Sequence, residues 1–208
     1  MPLPNRITPF GVLEATAARG LLMGNRGGKF HRDDRTLGRR RWASRQWICC
    51  VLSFRGRQRD VWGRYYTELF FLDEVTALAA GHRPCFECRR RDAEQFAALF
   101  AKPQPNSALS RASAPAMDAV LHRERLDGQA KRLHRRNIDA LPDGAMIALC
   151  GEAYAVRGGA LLRWSSSGYR EAKPRPHALD IDVLTPPSIL AVLAKGYKPL
   201  WHPSAPCA

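Results

Sequence analysis

The sequence predicts an α+β protein: a β-hairpin with two helices, followed by a small β-meander that closes on a C-terminal helix. Three observations predict it. Residues 46–54, QWICCVLSF, and 61–72, VWGRYYTELFFL, are apolar, aromatic and β-branched, and the turn-like RGRQRD joins them. Residues 89–102, RRRDAEQFAALFAK, put Ala93, Phe96, Ala97 and Phe100 on one helical face. Residues 145–168, AMIALCG, EAYAVRGG and ALLRWSSSG, read as short strands separated by glycine turns.

Taken in order, the first thirty residues hold Pro2, Pro4 and Pro9 and a turn or loop at GNRGG (24–28). The segment 31–45, HRDDRTLGRRRWASR, is polar, basic and irregular. The two strands of the hairpin follow. Asp73 is placed to cap a short helix, DEVTALAAG, and Gly81 to end it. The PCFEC loop leads into the second helix, which Pro103 stops. Residues 103–116, PQPNSALSRASAPA, read as a linker, so the expected units are 1–102 and 117–208. Beyond the linker, MDAVLHRERL (117–126) is a short amphipathic helix and DGQAKRLHRRN (127–137) a basic surface stretch. After the meander, REAKPRPHA (170–178) reads as a loop. PPSILAVLAKG (186–196) starts on prolines and ends on Gly196, as a compact helix does.

The chain of 208 residues carries a formal net charge of +14, which points to a polyanionic partner, nucleic acid before an anionic membrane surface. The charge is clustered. Residues 26–64 hold 12 basic and 3 acidic side chains, a local excess of +9. Arginine outnumbers lysine 27 to 6, and its planar fork pairs bidentately with phosphate and stacks on bases. No stretch of 18 apolar residues is present, so no membrane span is expected. The start MPLPNRITPF lacks the pattern of a secretory signal. A cytoplasmic location follows as the expectation. There the six cysteines, at 49, 50, 85, 88, 150 and 207, bind metal or stay free.

Cys85 and Cys88 carry the sharpest chemistry. A disulfide between neighbours so close would be a redox couple, but thioredoxin-type pairs follow a strand, and here a helix precedes. Zinc deaminases need a His-x-Glu or Cys-x-Glu upstream, which the sequence lacks. Packing thiols and a zinc knuckle, with Cys88 in the first turn of the next helix, are the readings that remain.

The stretch 66–96, YTELFFLDEVTALAAGHRPCFECRRRDAEQF, with GNRGGKFHRDD (24–34) upstream, resembles the metal-binding domain of the Ada DNA-repair family. The resemblance covers residues 24 to 98. It implies an Ada-like zinc module, the metal Zn²⁺ and a preference for nucleic acid, DNA first. Its last two ligands fall on Cys85 and Cys88 and its first on His31. Its second falls on Arg35, which cannot ligate zinc, so a fourth ligand must come from Asp34 or Asp33, from Cys49 or Cys50, or from water. The ligand set expected from the resemblance is Cys85, Cys88, His31 and Asp34. In Ada the first ligand is a nucleophilic cysteine that accepts a methyl group. His31 is a far poorer acceptor, which argues against methyl transfer here. The whole chain also resembles a family of uncharacterised bacterial proteins, which implies no function.

The phosphate-contacting residues expected are Lys29, Arg39, Arg40, Arg41, Arg83, Arg89, Arg90 and Arg91. LGRRRW (37–42) and RGRQRD (55–60) are basic loops flanked by Trp42, Trp47 and Trp62, which suits a phosphate track with base stacking. The equal alternative is that these tryptophans are core. Arg89, Arg90 and Arg91 stand at a helix N-terminus, where the helix dipole disfavours cations but favours a bound phosphate. The leading function is a zinc-containing nucleic-acid-binding protein in repair, processing or regulation. The competing class is a metal-dependent nuclease in which His31, Asp33 and Asp34 activate water. A third is a structural zinc module of an RNA- or protein-binding factor.

Overall fold

A computed structural model describes residues 1–57, 60–101 and 111–206. The protein is mixed α+β. Its first half forms a six-stranded sheet from β1 (Pro4–Ile7), β2 (Leu13–Ala15), β3 (Leu22–Arg26), β4 (Trp47–Val51), β5 (Leu69–Phe71) and β6 (Arg83–Pro84). The spatial order is β2-β1-β5-β3-β4-β6. β1 with β5 and β4 with β6 run parallel, and the remaining pairs are antiparallel.

This order corrects the expected hairpin. QWICCVLSF does form a strand, but its antiparallel partner is β3, and only Leu69–Phe71 of the segment 61–72 is strand. The GNRGG reading is corrected with it. Gly24, Asn25 and Arg26 belong to β3, and the turn begins at Gly27. Gly24 is in the strand because β4 crosses it too closely for a side chain: a Cβ there would lie 2.1 Å from the Ile48 carbonyl oxygen.

α1 (Glu74–Ala79) is short and buried at every residue. Asp73 caps it by accepting from the Thr76 N–H at 2.9 Å. Gly81 ends it at φ 82°, with the Gly81 and His82 N–H groups donating to Leu78 and Ala77 carbonyls at 2.9 Å each. α2 (Arg90–Phe100) buries Ala93, Phe96 and Ala97. α3 (Ala114–Arg125) starts within the segment read as a linker, because Ser113 caps it and Pro115 suits its first turn. Residues 103–110 of that segment lie outside the described residues.

The second half opens with a small antiparallel ribbon, β7 (Leu126–Asp127) and β8 (Ala130–Lys131). A six-stranded antiparallel sheet follows from β9 (His134–Asn137), β10 (Met146–Leu149), β11 (Glu152–Arg157), β12 (Ala160–Ser165), β13 (Gly168–Pro174) and β14 (Asp180–Val183), in the order β13-β12-β11-β10-β14-β9. The meander is therefore present. REAKPRPHA is corrected in part: through Pro174 it is strand β13, paired with β12 out to Ala160. α4 (Pro187–Ala194) closes the chain's helices. None of the described helices is long and apolar enough to cross a membrane.

α1 touches three cores. Val75 and Ala79 pack with Met146, Ala155 and Leu162 of the second sheet. Ala77 and Ala80 pack with Ile7, Leu69 and Phe71 of the first. Leu78 joins Phe96, Met117, Leu121 and Val192 from the other helices. The far face of the second sheet is buried as well, with Ile147, Tyr154 and Val156 against Ile138 and Leu190.

α3 is bolted to the first sheet by a bidentate ion pair. Arg83 Nε and Nη2 donate to the two oxygens of Asp118, each at 2.8 Å, with both side chains almost wholly buried. Removing one partner leaves an uncompensated buried charge. Asp118→Ala is expected to lower the unfolding free energy by about 3–5 kcal/mol, read from urea denaturation at neutral pH. A loss under about 1 kcal/mol would contradict the pair's structural role.

Candidate metal centre

The β4–β6 pairing builds the centre. Ile48 lies opposite Arg83 and Cys49 opposite Pro84, and the Cys85 N–H donates to the Cys49 carbonyl at 3.0 Å. β6 is an edge strand, where Pro84 costs no ladder bond. The chain then turns back tightly. The Arg89 N–H donates to the Cys85 carbonyl at 3.0 Å, and the Glu87 N–H points at Cys85 Sγ from 3.4 Å. The turn brings Cys88 beside Cys85.

Alternation along β4 decides the third sulfur. Cys49 faces the first sheet's core with Leu69 and Phe71, and Cys50 faces the other way, with Met23 and Cys85. The sulfurs of Cys50, Cys85 and Cys88 all lie within 4.8 Å of one another. Among the described residues no other His, Cys, Asp or Glu joins them. Three thiols at this spacing hold one thiolate readily. Hydrogen bonding from Cys50 and then Cys88 draws the Cys85 thiol far below its ordinary value, and the same contacts push Cys50 far above. A divalent cation among them would let all three ionise, and a set of three thiolates suits zinc, with one position open to another ligand.

The ligand set expected from the resemblance therefore changes. His31 and Asp34 are not part of the cluster. His31 is buried against Thr67, whose hydroxyl lies 2.8 Å from Nδ1, and it stacks on Trp62 with centroids 5.0 Å apart. Burial holds its basicity below the ordinary imidazole value. Asp34 is exposed and accepts from the Thr36 N–H and hydroxyl at 3.0 and 2.7 Å. Asp33 pairs with Lys29 on the surface. Thr67, Thr36 and Lys29 account for the polar groups that the nuclease reading requires. Among the described residues, His31, Asp33 and Asp34 form no metal-holding group.

The phosphate-contacting set divides. Arg39 and Arg40 are exposed and Arg41 half-buried, and none has an ion pair among the described residues. Arg90 and Arg91 are exposed, with Arg90 3.3 Å from Glu94. Lys29 is half-buried beside Asp33. Two expectations are corrected. Arg83 is the buried partner of Asp118. Arg89 turns inward from the α2 N-terminus to Glu74 at 2.8 Å and Asp92 at 2.7 Å. Neither can meet a ligand phosphate without breaking an internal ion pair.

Trp47 and Trp62 are core, whereas Trp42 is half-exposed. Over the Trp47 ring lie two buried guanidiniums, Arg26 at 3.9 Å and Arg125 at 3.8 Å. The sequence gives little sign of these two. Arg26 alternates inward on a strand that reads as a loop, and Arg125 ends a helix otherwise rich in exposed charge. His82 packs between Trp47 and Phe71, at 5.0 and 4.7 Å, and its Nε2 accepts from Arg26 Nε at 3.4 Å.

Two expectations follow. Cys50→Ser should lower bound transition metal in purified protein as far as Cys85→Ser does, while His31→Ala leaves it unchanged, by elemental analysis. Full metal in Cys50→Ser with loss in His31→Ala would reverse the assignment. The second concerns pH. Burial and then the Arg26 charge keep His82 unprotonated well below the usual imidazole range. The unfolded chain takes up that proton near pH ~6.5. Stability from this site is thus complete above that value and lost as pH falls below it. Between pH 5 and 7, by about one proton, the fall in unfolding free energy should be shallower in His82→Gln than in the parent. Equal slopes would exclude His82 as its source.

Compared with protein-family models, with curated proteins and with solved structures, the chain matches none.

Proposed function

We propose that the chain is a zinc-containing nucleic-acid-binding protein with DNA as its partner, acting in repair, processing or regulation without transferring a methyl group. One juxtaposition carries this reading. The three sulfurs stand at the Cys50 end of β4, and the loop that enters the other end of the same strand presents Arg39, Arg40 and Arg41 without an anionic partner among the described residues. A metal at the first place would hold the sheet edge rigid, and the loop at the second is chemically suited to phosphate. The net charge of +14 and the resemblance of residues 24 to 98 to the Ada metal-binding module support the same reading.

The absence of methyl transfer rests on access. Cys50 and Cys85 are only 3% and 7% exposed and Cys88 is half-buried, so a bulky phosphotriester would reach these sulfurs poorly, and His31 stands where the Ada family has its nucleophile. A metal here would act as a staple, because it would bind the folded chain and not the unfolded one.

Salt dependence tests the nucleic-acid half. Affinity for duplex DNA should fall linearly on a log–log plot against salt, by about 0.9 per phosphate neutralised. Replacing Arg39, Arg40 and Arg41 together by alanine should reduce that slope by about 2–3. An unchanged slope would remove this loop from the interface, and binding of neither duplex nor single strand at low salt would overturn the reading.

A further inference from the structure

A cavity of about 480 Å³ opens beside the Trp47 end of the β3–β4 ladder. Four cations line it, Arg26, Arg41, Arg125 and Lys131, and no carboxylate does. Two of the four are fully buried: Arg26 is 1% exposed and Arg125 0%. Buried charges in proteins are as a rule paired, because the desolvation cost is several kcal/mol per ion. Here the protein supplies only neutral acceptors. Arg26 donates to His82, to the Arg41 carbonyl and to the Gly11 carbonyl. Arg125 reaches the Gly81 and Arg45 carbonyls and His122, and its buried Nε has no partner. Lys131 Nζ donates to the Ala79 carbonyl. A guanidinium has five N–H donors, so each arginine has about two left without a partner, the buried Nε of Arg125 among them. Asp118, which favours the Arg125 charge, is already held by both oxygens to Arg83. Burial above all, and then mutual repulsion, lowers Arg26 to about 9, Arg125 to about 8 and Lys131 to about 7. These cations are short of an anion.

The remaining wall shows what kind of anion. Phe10, Leu37 and Leu126 add apolar lining, and Trp42 offers a half-exposed ring. A bare inorganic ion would leave that surface wet. A ligand with one anionic head and one flat body would use both kinds of lining. The cavity also continues. A second groove of about 220 Å³ shares Arg41, Trp42 and Gln129 with it, adds Arg39 and Arg40, and again contains no carboxylate. A ligand seated in the cavity and extending along that groove carries repeated negative charge.

We propose that this cavity takes one nucleotide of a single-stranded nucleic acid, its phosphate on Arg26, Arg125 and Lys131, its base against Trp42, and the neighbouring phosphates along Arg39 and Arg40. The inference rests on the nucleic-acid reading above and narrows it from duplex to strand. A base stacked inside a duplex cannot enter an inward cavity without first being extruded, at a cost of a few kcal/mol.

Tryptophan fluorescence and anisotropy test it on the full chain. The probes are a ten-nucleotide single-stranded DNA, its duplex, thymidine 5′-monophosphate and inorganic polyphosphate of matched charge. The strand should quench tryptophan emission and bind at least tenfold more tightly than polyphosphate or the duplex. Trp42→Ala should weaken strand binding about 5- to 100-fold, the range for losing one stacked base, and Trp42→Phe should restore most of it. Circular dichroism checks that both variants fold. Strand and polyphosphate binding equally well would overturn the base site. Salt-dependent strand binding that Trp42→Ala leaves unchanged would overturn the cavity assignment and leave the nucleic-acid reading standing. If neither strand nor duplex binds, that reading fails, and the mononucleotide decides the cavity. Quenching that is lost in Trp42→Ala supports it, and no quenching at millimolar nucleotide overturns it.

Discussion

The fold turns on two buried carboxylates at the start of a six-residue helix. Asp73 accepts from the Thr76 N–H and hydroxyl, the Tyr169 hydroxyl and the His202 N–H, at 2.9, 2.8, 2.9 and 3.1 Å. Glu74 accepts from Arg89, the Tyr197 hydroxyl and the Leu200 N–H, at 2.8, 2.7 and 2.9 Å. A buried carboxylate without such donors would be severely destabilising, so both acids demand partners and fix where those partners lie. Through them α1 ties together the second sheet, the segment after α4 and the N-terminus of α2. So short a helix has no stability of its own. It exists because three cores close around it and its polar end is satisfied.

The candidate metal centre inherits its position from this hub. Arg89 is held inward by Glu74, and it immediately follows Cys88. On its other side it reaches Cys49 Sγ at 3.6 Å. The sulfur cluster is thus bounded by a ladder on one side and by an ion pair anchored in the core on the other. The basic cavity sits three residues along the same ladder, where Arg26 faces Trp47, as Met23 faces Cys50. Sulfur and cation chemistry share one pair of strands and stay separate because pairs three residues apart face opposite sides of the sheet.

Local signals were legible in the sequence, and pairing was not. Asp73 and Gly81 bound α1, and the spacing of Ala93, Phe96 and Ala97 gives the inward face of α2, because caps and helical faces are local properties. The partner of β4 is not local. β3 carries Gly24 and Asn25, residues that favour turns, and the close passage of Ile48 and Phe71 explains the glycine. Cys85 and Cys88 stand out by spacing, but the choice between Cys49 and Cys50 needs the direction of β4. The resemblance led to His31, a position the structure commits to Thr67 and Trp62. Arg83 and Arg89 read as free cations because their partners, Asp118 and Glu74, are distant in sequence or hidden in an apolar helix.

β6 is two residues long and forms an edge of the first sheet. Left to itself, so short a strand would fray, and the open rim of β4 behind it would offer unpaired N–H and C=O groups to any passing chain. The three sulfurs lie on this rim. A cation binding them would join residue 50 to residues 85 and 88 and clasp the last strand to the sheet. Colloidal behaviour would then depend on the same thiols. Chelation or thiol oxidation would bare a template for intermolecular pairing, so loss of the centre would register as clumping of otherwise folded chains before it registered as unfolding.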